Sequence, residues 1–240
     1  MNDMFQLSIE LYDSKKSKVI WSDRWQEHWD NLPAIKANLS DGLSKALDTK
    51  SKTIKHIETI NSHAYEFYLK GKYCSDFLKS KQDLENGKIF FSKALELDDN
   101  FVEAYYLYGL ACQRLGNYEE AESTLLKGQG IAETKNNIQG LSYIYKGFSM
   151  LFSAWGKWKS SRQYIEKAIK IQLKLNNPTF EAMLRLDYAN ILNHLLEVDL
   201  SIKQNKKAII LLKNLEDERL IGISYIILID TYLVTGDYTQ

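Results

Sequence analysis

A set of small and aromatic residues recurs every 40 positions through much of this 240-residue chain. The clearest copy is 100–133. There Tyr105, Tyr108, Gly109 and Cys112 fall at i, i+3, i+4 and i+7, one face of a helix, and after the turn Leu115-Gly116-Asn117 the residues Tyr118, Ala121, Leu125 and Gly128 mark a second. Gly109 and Ala121 sit where the two helices cross, and only small side chains let backbones approach closely there. The opening aromatic recurs as Tyr105, Tyr145, Arg185 and Tyr225, and the crossing position as Gly109, Ser149, Ala189 and Ile229. The next inward column is Cys112, Phe152, Leu192 and Tyr232, and the turn column is Tyr118, Trp158, Val198 and Tyr238. Second helices repeat Ala121, Ser161, Ser201, then Gly128, Ala168, Ala208, then Ile131, Ile171, Leu211. A single helix pair cannot bury its own apolar faces, so units in register must stack into a solenoid.

The turn segments LGNYEEA (115–121) and WGKWKSS (155–161), with the closing SKALELDDN (92–100), resemble the tetratricopeptide repeat, a helix-turn-helix unit of about 34 residues. The resemblance runs from Ser62 to the end, with a longer period of 40 and with Arg185 and Val198 in place of expected aromatics. It implies an all-α, right-handed helical solenoid of about 4.5 repeats over 51–240. The repeats are expected at 62–100, 101–137, 138–177 and 178–217, with a half repeat at 218–240. Four extra residues near 79–83 are expected to lengthen the turn inside the first.

Two prolines and twelve glycines fit helices joined by short turns. Thirty-one basic residues balance thirty-one acidic ones, so steering towards nucleic acid or an anionic membrane is not expected. No apolar run approaches the roughly 20 residues of a membrane span, and no signal-peptide pattern precedes Met4-Phe5, so the expected location is cytoplasmic. Cys74 and Cys112 occupy matching inward positions and are expected to be buried thiols.

Residues 1–50 follow another pattern. Phe5, Leu7, Ile9 and Leu11 alternate with polar neighbours as in a half-buried strand, 13–18 is a polar turn, and Val19-Ile20-Trp21 begins a return strand. A lone hairpin is marginal in water, so this one is expected to pair further, and the chain reads as a piece cut from a longer protein. Pro33 suits a first helical turn, and Leu32, Ile35, Leu39, Leu43 and Leu47 form one apolar stripe before a polar joint at 48–52. The blocks at 20–25 (IWSDRW) and 64–73 (AYEFYLKGKY) are similar to the end of the TolB-like domain that precedes tetratricopeptide repeats in certain bacterial signalling proteins. That resemblance implies a parent carrying a class III nucleotide (adenylate or guanylate) cyclase, a winged-helix DNA-binding domain or a protein kinase.

No motif for chemistry emerges. His28 lacks the second histidine of a zinc-binding helix, and His56 and His63 have no completing ligands. Asp98-Asp99-Asn100 suits a helix-end turn better than a calcium loop. No catalytic residue, metal or cofactor is therefore expected. The concave side of such a stack is lined by its first helices, which puts Tyr106, Gln113, Arg114, Lys146, Ser153, Asp187, Asn190, Asn193 and His194 at a groove for a protein or peptide. The terminal-carboxylate clamp of some members would fall on Tyr68, Lys72, Leu107, Tyr143 and Gly147, which do not supply its Lys/Asn/Arg set. The expected function is a non-catalytic interaction or sensory module, the alternative being a structural scaffold or dimerisation spacer. The segment 220–229 is apolar nearly all round, so homodimer contacts through it or the hairpin are expected.

Overall fold

The computed structural model describes residues 4–13, 18–28, 35, 39, 45, 61–77, 80–215 and 217–235. Strands β1 (Met4–Asp13) and β2 (Lys18–His28) form an antiparallel two-stranded sheet with an irregularity at Leu11/Tyr12. β2 is longer than the return strand read from Val19-Ile20-Trp21 and carries His28 at its end, not on a helix. The cause is cross-strand pairing: Leu11 faces Trp21 and Leu7 faces Trp25, which extends one apolar face along both strands. The apolar stripe at 32–47 is described only at Ile35, Leu39 and Lys45, all helical, with Ile35 buried; the joint 48–52 and the turn residues 236–238 lie outside the described residues.

Among the described residues, nine helices then run as antiparallel pairs. They are α1 (Ser62–Phe77) with α2 (Lys81–Leu97), α3 (Val102–Arg114) with α4 (Tyr118–Thr134), α5 (Ile138–Ala154) with α6 (Trp158–Leu175), and α7 (Pro178–His194) with α8 (Val198–Asn214). A single helix, α9 (Glu218–Thr235), follows. The joins explain themselves. Gly116 (φ 81°) and Gly156 (φ 73°) take the left-handed conformation that closes the turns inside the second and third pairs. Between pairs, the side chains of Asn137, Asn177 and Asp217 accept hydrogen bonds from the amides of Gly140, Phe180 and Leu220 at 2.7, 3.2 and 3.0 Å, capping α5, α7 and α9.

Helix crossings follow the small-residue column. A Cβ on Gly71 would stand 2.7 Å from the Phe91 ring, and one on Gly109 would stand 2.9 Å from Leu125 Cγ. In the third pair Ser161 Oγ donates to the Ser149 carbonyl at 2.8 Å, and in the fourth Ser201 Oγ donates to the Ala189 carbonyl at 2.9 Å. Opposite these positions stand fully buried Phe91, Leu125 and Ile165, each contributing about 1.5–3 kcal/mol by burial. The fourth member of that column is Asn205, equally buried. The first pair corrects one expectation. Of the residues expected to lengthen its turn, Lys81–Asp83 are helical, with the Ser80–Asp83 capping box starting α2 at Lys81, and residue 79 lies outside the described residues.

First helices of successive pairs pack on one another, α3 against α5 and α7 against α9, while second helices make no comparable approach. The stack therefore curves with the first helices inside. The spacing of the inner helices varies: α1 and α3 come close at few points, and the backbones of α5 and α7 stand further apart than those of α3 and α5.

Candidate protein-binding face

That wider gap is filled by long side chains. Gly147, on the side of α5 facing α3, leaves no room for a Cβ, which would stand 2.7 Å from Leu125 Cδ2 and 3.2 Å from Tyr106 Cδ2. Forty residues on, the same position is Asp187, and Lys146 reaches it: Nζ lies 3.4 Å from Oδ2. Tyr106 stacks on Tyr143 with ring centroids 5.7 Å apart, and Tyr143 packs on Phe180 at 4.9 Å. The Lys146 ammonium also lies 5.4 Å from the Phe180 centroid. Three repeats thus contribute to one seam on the inner face.

The electrostatics of the seam follow from its burial. Lys146 is only 8% exposed. Burial pushes its pKa down, but the Asp187 charge, helped by Tyr106, more than offsets this and leaves it above the ordinary lysine value, so the ammonium stays charged. Burial raises the Tyr106 phenol, with the Lys146 charge working against it. Asp187 Oδ2 is buried with the Lys146 ammonium beside it, while the Asp187 side chain as a whole is 41% exposed.

The nine residues assigned to the groove from sequence divide into three groups. Tyr106, Lys146 and Asp187 come together in the seam, with Lys146 closed into the interior and not presented to solvent as a groove lysine would be. Ser153 and Asn193 are spent on neighbours: Ser153 Oγ is 2.7 Å from Ser161 Oγ, and Asn193 Oδ1 accepts from Thr231 Oγ1 at 3.0 Å. Arg114, Asn190 and His194 are exposed and Gln113 is half-buried. Arg114 Nη1 donates to the Ser75 carbonyl at 3.3 Å, and His194 stacks on Trp158 at 3.8 Å and 10°. Sequence reasoning missed Tyr143 and Phe180 as members of the face; the i, i+3 spacing of Tyr143 and Lys146 is the signal that places the former.

Arg185, which interrupts the aromatic column, is buried with Glu181 (2.7 Å) and Gln204 (2.6 Å). Cys74 and Cys112 are buried, burial raising both thiols, Cys112 to about 12. Among the described residues no group of three or more His, Cys, Asp or Glu side chains could hold a metal ion, and no helix is long and apolar enough to cross a membrane.

Helix pairs stacked through small-residue crossings, with first helices inside the curve, define a helical-repeat solenoid. Models of the tetratricopeptide repeat match residues 57–74 and 90–123, and the fold is a TPR-like solenoid. None of the curated proteins matches the chain. Among solved structures, it is similar to a Signal Transduction ATPase with Numerous Domains (STAND) protein with a tetratricopeptide repeat sensor from Pyrococcus horikoshii, with TM-score 0.62 and 20% identity over 83% of this chain and 33% of that one. It is similar also to the putative kinesin light chain TPR-like repeats of Podosopora anserina, with TM-score 0.59 and 11% identity over 76% and 91%. The chain thus spans about a third of the STAND protein's length. These likenesses establish the fold.

Proposed function

We propose that this chain is a protein-interaction module that holds a polar segment of a partner against its inner face, and that it has no reaction of its own. The observation that carries this reading is the inner side formed by first helices α3, α5 and α7, with the aromatic run Tyr106–Tyr143–Phe180 towards their N-terminal ends and Arg114, Asn190 and His194 exposed towards their C-terminal ends. The exposed set is mixed in character, which suits a segment offering both hydrogen bonds and charge. In the fuller form of the proposal the module is the cytoplasmic sensor of a larger bacterial signalling protein. A nucleotide cyclase leads as effector, with a winged-helix regulator or kinase behind it. The TolB-like resemblance at 20–25 and 64–73 supports that form, as does the likeness to a STAND protein with a tetratricopeptide repeat sensor.

Panning a library of unstructured peptides on the chain tests the reading. Peptides selected on the chain should lose binding at least about tenfold, or ~1.4 kcal/mol, on the double substitution Arg114→Glu with Asn190→Arg. They should keep it on Lys203→Glu, an exposed site on a second helix. Selected peptides indifferent to the first change would refute the inner face as the binding surface.

A second reading, the structural spacer that joins copies end to end, is favoured by one specific observation. The last helix exposes Ile223, Tyr225, Ile226, Ile229 and Leu233.

A further inference from the structure

α9 buries polar residues in two columns where earlier first helices bury apolar ones. In the three preceding first helices, the positions that meet the previous pair are apolar and buried: Ala104, Ile144 and Leu184 in one column, Ala111, Leu151 and Ile191 in the other. On α9 these columns hold Ser224 and Thr231, both fully buried. Hydrogen bonds hold them in place. Asn205 Nδ2 donates to the Ser224 carbonyl at 3.0 Å, Ser224 Oγ donates to the Leu220 carbonyl at 2.8 Å, and Thr231 Oγ1 donates to Asn193 Oδ1 at 3.0 Å. Leu220, Ile221 and Ile227 still pack against the preceding pair, but the remaining apolar residues point the other way. Arg219, Gly222, Ile223, Ile226, Ile229, Asp230 and Leu233 are all exposed, and at 100° per residue they fall on a single face. Ile226 is 59% and Ile229 57% exposed.

Two features say what covers this face. The crossing column, small as Gly109, Ser149 and Ala189, becomes Ile229, so a second helix of the repeat kind cannot approach α9 as it does the others. The charges are also self-complementary. One cation, Arg219, and one anion, Asp230, flank the isoleucines, and neither forms an ion pair among the described residues.

We propose that α9 is a self-pairing helix, on which two copies of this chain pack antiparallel about a two-fold axis passing between Ser224 and Tyr225. That register sets Ile223 of one copy against Ile226 of the other, with Gly222 admitting the close approach. It also brings Arg219 of each copy beside Asp230 of the other, so a single symmetric contact makes two ion pairs. The inner-face reading does not depend on it.

Sedimentation velocity of the full chain across the micromolar range is the test. The wild type should sediment as a monomer–dimer equilibrium. Ile226→Glu, a change at an exposed site checked for unchanged helicity by circular dichroism, should raise the dimer Kd about a hundredfold or more. Arg219→Asp and Asp230→Arg alone each face like charge with like and should weaken the dimer about tenfold, while the double exchange should return it to within about threefold of wild type. A wild type monomeric throughout overturns the proposal. So does a dimer indifferent to Ile226→Glu, or a double exchange that restores nothing.

Discussion

Two glycines on α4, two residues apart, should respond to alanine with opposite signs. At Gly128 a Cβ would stand 2.6 Å from Ile144 Cδ1 and 2.8 Å from Tyr105 Cβ. The isoleucine contact is a chain end, but Ile144 is fully buried and has little room to turn. The tyrosine Cβ is fixed to the α3 backbone, so α4 must move away from α3 by several tenths of an ångström. Overpacking of this kind costs roughly 1–3 kcal/mol, against a helix-propensity gain of about 0.8–1 kcal/mol for replacing glycine. Gly128→Ala should therefore destabilise by up to about 2 kcal/mol. Gly130 has nothing within 4 Å of its Cβ position and is exposed, so the gain stands alone. Gly130→Ala should stabilise by about 0.5–1 kcal/mol.

The propensity term is common to both, so their difference isolates the packing cost. For a chain of this size 1 kcal/mol moves the thermal midpoint by about 2–4 °C, and thermal melts by far-UV circular dichroism resolve that difference. A Gly128→Ala protein that melts as high as Gly130→Ala would refute the close approach of α3, α4 and α5 at this point.

Two further predictions concern single residues. Leu196 (φ 60°) occupies the left-handed turn position held by Gly116 and Gly156, and it is 74% exposed. A non-glycine residue there costs roughly 1–2 kcal/mol, of which glycine's chain entropy takes back about 0.5–1. Leu196→Gly should accordingly raise the urea midpoint and Leu196→Ala should not; equal midpoints would remove the strain argument. Burial, then the nearby Glu120 charge, lifts the Cys112 thiol from its ordinary 9.0 to about 12. Between those values the unfolded chain has lost a proton that the folded chain keeps, so stability falls as pH rises through that window. The urea midpoint should drop more from pH 9 to 11 in wild type than in Cys112→Ala, and parallel drops would show that the thiol does not titrate this way.

Much of the fold could be read from the sequence, because crossings in a repeat demand the same small residue at the same interval. Gly109, Ser149 and Ala189 differ in chemistry but share the one property that matters, and their register located the helix pairs. Features carried by one residue per join were harder to see. Asn137, Asn177 and Asp217 stand 40 apart and cap three helices, yet in sequence they look like ordinary polar linker residues. The Leu7–Trp25 and Leu11–Trp21 pairs, which lengthen β2, need a register that alternation within one strand does not give. Of the face, spacing put Tyr106, Lys146 and Asp187 on successive first helices, where the structure brings them together. It did not show that the last two close on each other, because that depends on how far apart α5 and α7 stand, a distance set by side-chain volume and not by period. Lys146 therefore reads as an open cation and proves to be a buried brace.

Along the stack, apolar keystones give way to polar ones. The column that begins with Phe91, Leu125 and Ile165 ends in Asn205, and the crossings move from glycine to hydroxyls bonded to carbonyls. Hydrogen-bonded seams fix register between neighbours but add little net stability, about 1 kcal/mol per bond. Two of them are also incomplete: Gln172 Oε1, beside Ser142, and Asn205 Oδ1, beside Ser224, are buried and accept no hydrogen bond from the protein. Each unmet acceptor costs about 1–3 kcal/mol. In a solenoid whose stability is close to a sum of nearest-neighbour terms, the contact within the α5–α6 pair and the α8–α9 seam are therefore weakened joints among the described residues. Anything that covers the apolar face of α9 acts on the second of these. On the pairing proposed above, burial of Ile226 and its neighbours would supply the hydrophobic stabilisation that the Ser224–Thr231 side lacks, which would couple dimer formation to the packing of the last helix.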